Sequence, residues 1–190
     1  MLELLNICFS YNGTPVLKDF SLTVNDGECV ALKGASGSGK TTAAGLLLGL
    51  LLPSSGIITA PKKISAVFQE DRFVESLSLK QNLHTVLGEK QYKDALTLLE
   101  KTGLSGCERK KVGTFSGGMK RRAAIVRAIA FAGDALILDE AFNGIDAENK
   151  QICADIIKER FIKQNKPVLL ITHADSDALL LNARTVEIQT

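Results

Sequence analysis

The stretch Gly34-Ala35-Ser36-Gly37-Ser38-Gly39-Lys40-Thr41-Thr42 fits G-x-x-x-x-G-K-[ST] and constrains this chain more than any other segment. Glycines at 34, 37 and 39 let the backbone turn tightly and aim successive N–H groups into one concavity, where phosphate oxygens satisfy them. Lys40 adds a positive charge suited to the β- and γ-phosphates of a nucleotide. Thr41 offers a hydroxyl to Mg²⁺, a hard cation that takes oxygen ligands. The run Glu28-Cys29-Val30-Ala31-Leu32-Lys33 reads as a buried strand, and Thr42 to Leu52 reads as a helix. That order sets the helix N-terminus, with its unpaired amides and positive dipole end, against the phosphates. A Gly/Ser-rich surface turn would need neither flank.

A chain of 190 residues can bury a sizeable core as one domain, with at most a small subdomain. Its net charge of +2, from 23 basic and 21 acidic residues, makes no field strong enough to recruit nucleic acid or an anionic bilayer. No nucleic-acid partner and no direct membrane insertion are therefore expected. Cys8, Cys29, Cys107 and Cys153 lack C-x-x-C spacing and read as reduced, buried, small hydrophobes of a cytosolic protein. The N-terminus lacks the basic start and long apolar core of a signal peptide. The most apolar run, Leu46 to Leu52, is too short to span a bilayer and stops at Pro53. The chain is expected to be soluble by itself, and docking on a membrane protein stays open.

Taken in order, Leu2 to Phe9 and Asp19 to Val24 read as strands of an antiparallel layer, with turns at Asn12-Gly13 and Asn25-Asp26-Gly27. Tyr11 ends the first strand; alone it reads as a packing or turn-side aromatic, although its ring could stack on a base. A further β segment follows Gly56. The strand Ile64 to Phe68 then ends in Gln69-Glu70-Asp71, at the carboxyl edge where open α/β sheets place ligands. Ser78 to Leu87 and Gln91 to Thr102 read as helices, the first with Leu79, Leu83, Val86 and Leu87 on one stripe and His84 as a surface or partly packed side chain. Gly103 to Thr114 reads as a solvated connection.

Phe115-Ser116-Gly117-Gly118-Met119-Lys120 opens another helix, apolar at Ile125, Ile129 and Ala132. Ser116 is its N-cap, and Gly117 and Gly118 leave first-turn amides open to an anion. Lys120, Arg121, Arg122 and Arg127 read as a solvated helix face. Ala135-Leu136-Ile137-Leu138-Asp139-Glu140 is an apolar central strand ending in two acids, where phosphate and metal would lie. Asp139 suits the Mg²⁺ shell, and Glu140 is set to orient the attacking water. Asn143-Gly144-Ile145-Asp146 is a turn whose Asp146 caps a helix, Ala147 to Ile162, that buries Ile152, Ile156 and Phe161. Val168 to Thr172 is a buried strand delivering His173 to the same edge, and Arg184 to Gln189 alternates as an edge strand.

In this order the pieces resemble the nucleotide-binding subunit of an ATP-binding-cassette (ABC) transporter over nearly the whole chain. The resemblance implies an α/β fold: a P-loop NTPase core with a mainly parallel sheet, an N-terminal antiparallel β layer and a small helical subdomain. Residues 1–68 and 117–190 would form the core and β layer, and 69–116 the helical subdomain. By the same resemblance Tyr11 looks like the adenine-stacking aromatic, and Gly34 to Thr42 (with Ala35, Ser36 and Ser38 among them) the Walker A loop. Gln69 looks like the glutamine that senses Mg²⁺ and water. Ser116-Gly117-Gly118 looks like the heart of the LSGGQ signature, Asp139-Glu140 the Walker B pair, Asn143 to Asp146 the D-loop, and His173 the switch histidine. Phe115 and Met119 depart from the signature's usual Leu and Gln, Ala141 from a common Pro, and Asn143-Gly144 from the usual Ser-Ala. The segment Val67 to Arg72 and the Ser-Gly-Gly-Met variant are similar to importers of nitrate, sulfonate or taurine.

The resemblance further implies ATP and Mg²⁺ as cofactors, with Lys40, Glu140, His173 and Gln69 catalytic and Thr41, Gln69 and Asp139 around the metal. Two subunits, identical or not, would meet head to tail, the Ser116 helix of one closing over ATP on the other. A separate transmembrane permease would hold the pair at the cytoplasmic face of the cell membrane. Two other classes share the loop: a soluble ABC ATPase of repair or translation, which would show a coiled-coil insertion or second cassette, and a small-molecule P-loop kinase, which would not need Ser116-Gly117-Gly118.

Overall fold

A computed structural model describes residues 1–188. Strands β1 (Leu2–Tyr11) and β2 (Thr14–Val24) form a hairpin about Asn12-Gly13, and β4 (Ser55–Thr59) pairs with the far side of β1, giving an antiparallel sheet in the order β2-β1-β4. A second, parallel sheet runs β5-β6-β7-β3-β8, from Ile64–Val67, Ala135–Asp139, Val168–Ile171, Cys29–Lys33 and Arg184–Glu187. Helix α1 (Lys40–Leu47) follows β3; α2 (Leu79–His84) and α3 (Glu89–Lys101) follow β5; α4 (Gly117–Phe131) leads into β6; α5 (Ala147–Arg160) and α6 (Asp175–Leu180) flank β7.

Alternation along the central strands divides two cores. Val30 and Leu32 of β3, Ala135 and Ile137 of β6, and Leu169 and Ile171 of β7 pack with α1 and the antiparallel layer. Their neighbours Cys29, Ala31, Leu136, Leu138, Val168 and Leu170 pack with α3, α4 and α5. Every residue of β6 and β7 is buried, because a parallel strand covered on both faces must be apolar on both. All four crossings end at one edge of the sheet. There the chain leaves β3 for the glycine loop, β5 for Gln69, β6 for Asp139-Glu140 and β7 for His173.

Several elements differ from the sequence reading. The first helix stops at Leu47, because Gly49 turns to φ +68°, and Leu50 and Leu52 are exposed. Val86 lies beyond α2 and is exposed rather than on its buried stripe; His84 stacks on Tyr92 with centroids 4.1 Å apart. The connection expected to be solvated buries Leu104, Cys107 and Val112, and a single β-bridge ties its Lys111 to Ser78. Ala132 is exposed and left-handed, ending α4 at Phe131. Helix α5 buries Cys153, Ala154 and Ile157 in place of Ile152 and Ile156, which are half-buried. Cys8 is half-buried, unlike the other three cysteines, and all four are free thiols. The edge strand β8 ends at Glu187; Gln189 lies outside the described residues.

Candidate functional site

The loop from Gly34 to Gly39 departs from β3 with its three glycines at φ +148°, +80° and +99°. At Gly34 a side chain would also collide: a Cβ would sit 2.5 Å from Ile188 Cγ2 and 2.8 Å from Ser38 Oγ. Gly37 faces open space, so its glycine answers to backbone conformation alone. Gly39 caps α1 without any side-chain acceptor, which leaves the first-turn amides available to an anion. The buried Lys40 ammonium donates to the carbonyls of Gly34 (2.9 Å) and Ala35 (2.7 Å), and so spans the loop it follows. The buried Ser38 hydroxyl finds no hydrogen-bond partner among the described residues.

Strand β7 separates β3 from β6, yet α1 reaches across: the Thr41 hydroxyl donates to Asp139 Oδ2 at 3.1 Å. Burial pushes the Asp139 carboxyl above its ordinary range, opposed by the Thr41 hydrogen bond. The hydroxyl and carboxylate are the hard oxygen donors that Mg²⁺ selects, so the pair fits that ion. Among the described residues no three His, Cys, Asp or Glu side chains cluster as metal ligands. A metal held here would complete its shell from phosphate and water.

Glu140 follows with φ +50°, a left-handed conformation that costs a non-glycine residue on the order of 1–2 kcal/mol. Its N–H donates to the Ile171 carbonyl of β7 at 2.9 Å, which fixes this turn of the chain. The carboxylate accepts from Asn143 Nδ2 at 2.8 Å, and its other oxygen lies 3.4 Å from His173 Nε2. Lys40, Thr41, Asp139, Glu140 and His173 thus meet at one edge. Tyr11 stands close by: its ring, edge-on to Phe9 at 4.8 Å between centroids, lines a cavity of about 200 Å³ with Thr41, Ala44, Leu48 and Asp139.

Among the described residues, Ser116, Gly117 and Gly118 make no hydrogen bond to the glycine loop of their own chain. Ser116 caps α4 by accepting from Met119 N at 3.3 Å, and Gly117 faces open space. Gly118 has a second reason to lack a side chain, since a Cβ there would come within 2.7 Å of the Gly144 carbonyl. The signature turn is packed against the Asn143 to Asp146 turn. Asp146 caps α5 by accepting from Asn149 N at 3.0 Å, and that bond lowers its carboxyl pKa.

The arginines of α4 are the residues that sequence reasoning missed. Arg121 and Arg127 do not form a solvated face: they donate to the carbonyls of Phe68, Gln69, Asp71 and Arg72. Residues with long side chains and no pattern of their own gave no signal of backbone partners more than 50 positions away.

A family model described as ABC transporter matches residues 17–143. An aliphatic sulfonates import ATP-binding protein of Rhodococcus jostii is 34% identical over 192 aligned positions, covering 97% of this chain and 78% of that protein. A thiamine import ATP-binding protein of Brucella abortus is 33% identical over 199 positions, covering 96% and 82%. Among solved structures, an ATP-binding cassette in a dimeric post-hydrolysis state bound to ADP and Pi superposes with a TM-score of 0.85 at 25% identity, covering 100% of this chain and 94% of that one.

Proposed function

This chain belongs to the ABC transporter family as its ATP-binding, ATP-hydrolysing subunit, and from that premise we propose how its residues divide the work and what it works with. The observation that carries the reading is the 3.1 Å hydrogen bond from Thr41 to Asp139, which joins the phosphate loop to the acidic strand end beside Glu140.

ATP lies with its phosphates over the amides of residues 34–42, the Lys40 ammonium neutralising charge on the β- and γ-phosphates and the adenine against Tyr11. Thr41 and Asp139 would hold Mg²⁺, with Gln69 at the same edge; such an ion would offset charge on the transferring phosphoryl group. Glu140 orients the attacking water, and His173 faces the γ-phosphate. Open glycine at 117 and the Gly117 and Gly118 amides that the Ser116 cap leaves free suit the γ-phosphate of ATP held by a second subunit, so each chain contributes two half-sites. ATP then joins the pair, and its hydrolysis removes the join. The dimeric cassette bound to ADP and Pi supports this arrangement.

Residues 69–116 serve as the helical subdomain that docks a separate transmembrane permease. A groove of about 360 Å³, lined by Leu48, Leu50, Phe68, Val86, Arg127 and Phe131, runs beside the Gln69 loop and presents exposed Leu50 and Val86 at its rim. Among the described residues no helix is long and apolar enough to cross a membrane. The names of the import relatives support a subunit held at the cytoplasmic face through its permease. Cassettes named for sulfonate and for thiamine import are about equally similar, as expected of a part that meets nucleotide and permease rather than solute.

Size-exclusion chromatography of Glu140→Gln tests the reading. With ATP and Mg²⁺ this variant elutes as a dimer and with ADP as a monomer; a variant that hydrolyses ATP as fast as wild type and stays monomeric contradicts it.

A further inference from the structure

We propose that Arg121 is the positioning residue of the Gln69 loop, so that α4 carries the glycine turn at its N-terminus and also holds Gln69 through a clasp. The inference rests on the reading of Gln69 as a residue that acts at the metal and water.

The loop needs holding. Between Val67 and Leu79 the chain has no helix or strand, and Gln69 and Glu70 are exposed. Outside helices and strands, residues 69–73 make no backbone–backbone hydrogen bonds among the described residues. Their carbonyls are met by arginine instead. Arg121 donates from Nη1 to Phe68 O at 2.8 Å and from Nη2 to Gln69 O at 2.8 Å, and its Nη1 lies 3.2 Å from Asp71 Oδ1. Both charged side chains of that pair are largely buried, at 12% and 21% exposed. Arg127 takes two carbonyls beyond Glu70, Asp71 O at 2.7 Å and Arg72 O at 3.0 Å, and its guanidinium covers the Phe73 ring at 4.2 Å.

A planar guanidinium is suited to this task, because its fork of fixed donors bonds two successive carbonyls at once, which a lysine ammonium cannot reproduce. The bond to Gln69 O fixes the backbone from which the Gln69 side chain extends. Position matters here: β5 pairs with β6 through Val67 and Leu138, so the loop that carries Gln69 leaves the sheet beside the strand end that carries Asp139 and Glu140. Arg121 therefore acts through Gln69, while its own guanidinium stays on the loop backbone.

The test is a double-mutant cycle on the full chain with ATP and Mg²⁺, comparing wild type, Gln69→Ala, Arg121→Met and the double variant, with limited proteolysis of each. Arg121→Met is expected to lower kcat about tenfold, with KM for ATP within about twofold of wild type, and to have less than about a twofold further effect once Gln69 is alanine. Proteolytic cleavage between residues 69 and 72 should accelerate about tenfold in nucleotide-free protein, while cleavage elsewhere keeps its wild-type rate. Equal losses in both backgrounds, or unchanged cleavage at 69–72, overturn the proposal. Full activity of Gln69→Ala overturns the reading of Gln69 on which it stands, and is told apart because Arg121 need not be altered to see it. Should Arg121→Met fail to fold, Arg121→Lys, which keeps the charge and loses the fork, takes its place in the same cycle with the same two outcomes.

Discussion

Asn143 donates its side-chain amide to Glu140 Oε2 across 2.8 Å, three residues along a turn that Glu140 itself begins in the left-handed conformation. One oxygen of the carboxylate is thereby fixed and the other is left facing His173. A carboxylate that must orient water gains from being held in one rotamer before substrate arrives.

Asn143→Ala is accordingly expected to lower kcat about three- to tenfold with KM for ATP unchanged, and Asn143→Asp to lower it further, because a like charge then faces Glu140. Steady-state ATPase assays of both variants check this. A raised KM with intact kcat would place Asn143 in nucleotide binding instead.

The glycine loop makes a contrast between two positions. Gly37→Ala meets nothing within 4 Å and incurs only the left-handed backbone cost, on the order of 1–2 kcal/mol. Gly34→Ala adds a collision with Ile188 and Ser38, so it should unfold at lower denaturant and bind ATP more weakly than Gly37→Ala. Urea titration and nucleotide binding measured on the pair decide it; equal effects would contradict the close approach at Gly34.

The cysteines give a pH dependence. Burial pushes Cys29 and Cys153 up to about 12, from the ordinary thiol value of 9.0. Between those values the unfolded thiols ionise while the folded ones keep their protons. The unfolded state then binds fewer protons, so stability is full below pH 9 and falls as pH rises. Each thiol should contribute a loss of about 1.4 kcal/mol per pH unit in that window. Cys153→Ala should flatten the decline seen in urea melts from pH 9 to pH 11, whereas identical slopes would contradict it. A thiol reagent at pH 8 should meet Cys8 first, since hydrogen bonds from Ser55 and the Asp19 amide lower its pKa.

Local chemistry made the architecture readable in the sequence. The glycine loop, the apolar strand ending in Asp139-Glu140, the strand ending at His173 and the Ser116 cap each depend on contiguous residue types, and each stands where its pattern puts it. The antiparallel layer was legible for the same reason, from alternation and two turn signals. What escaped depends on long-range partners. The packing of Gly118 on Gly144 and the arginine clasp on residues 68–72 join segments with no shared pattern, and a charged side chain that donates to carbonyls looks in sequence like one that faces water. Helix ends slipped where a residue adopted positive φ: at Gly49 a glycine cap that the sequence did offer, and at Ala132 a non-glycine residue that gives no such signal.

The composite site is the central claim, and ATP hydrolysis per chain measured against protein concentration tests it most directly, with Glu140→Gln and Ser116→Arg alongside. The account predicts a rate per chain that rises with concentration toward a plateau and collapses in both variants, since Glu140 serves one half-site and Ser116 the other. A rate independent of concentration and unharmed by Ser116→Arg would contradict it, and would mean that each chain completes its site alone.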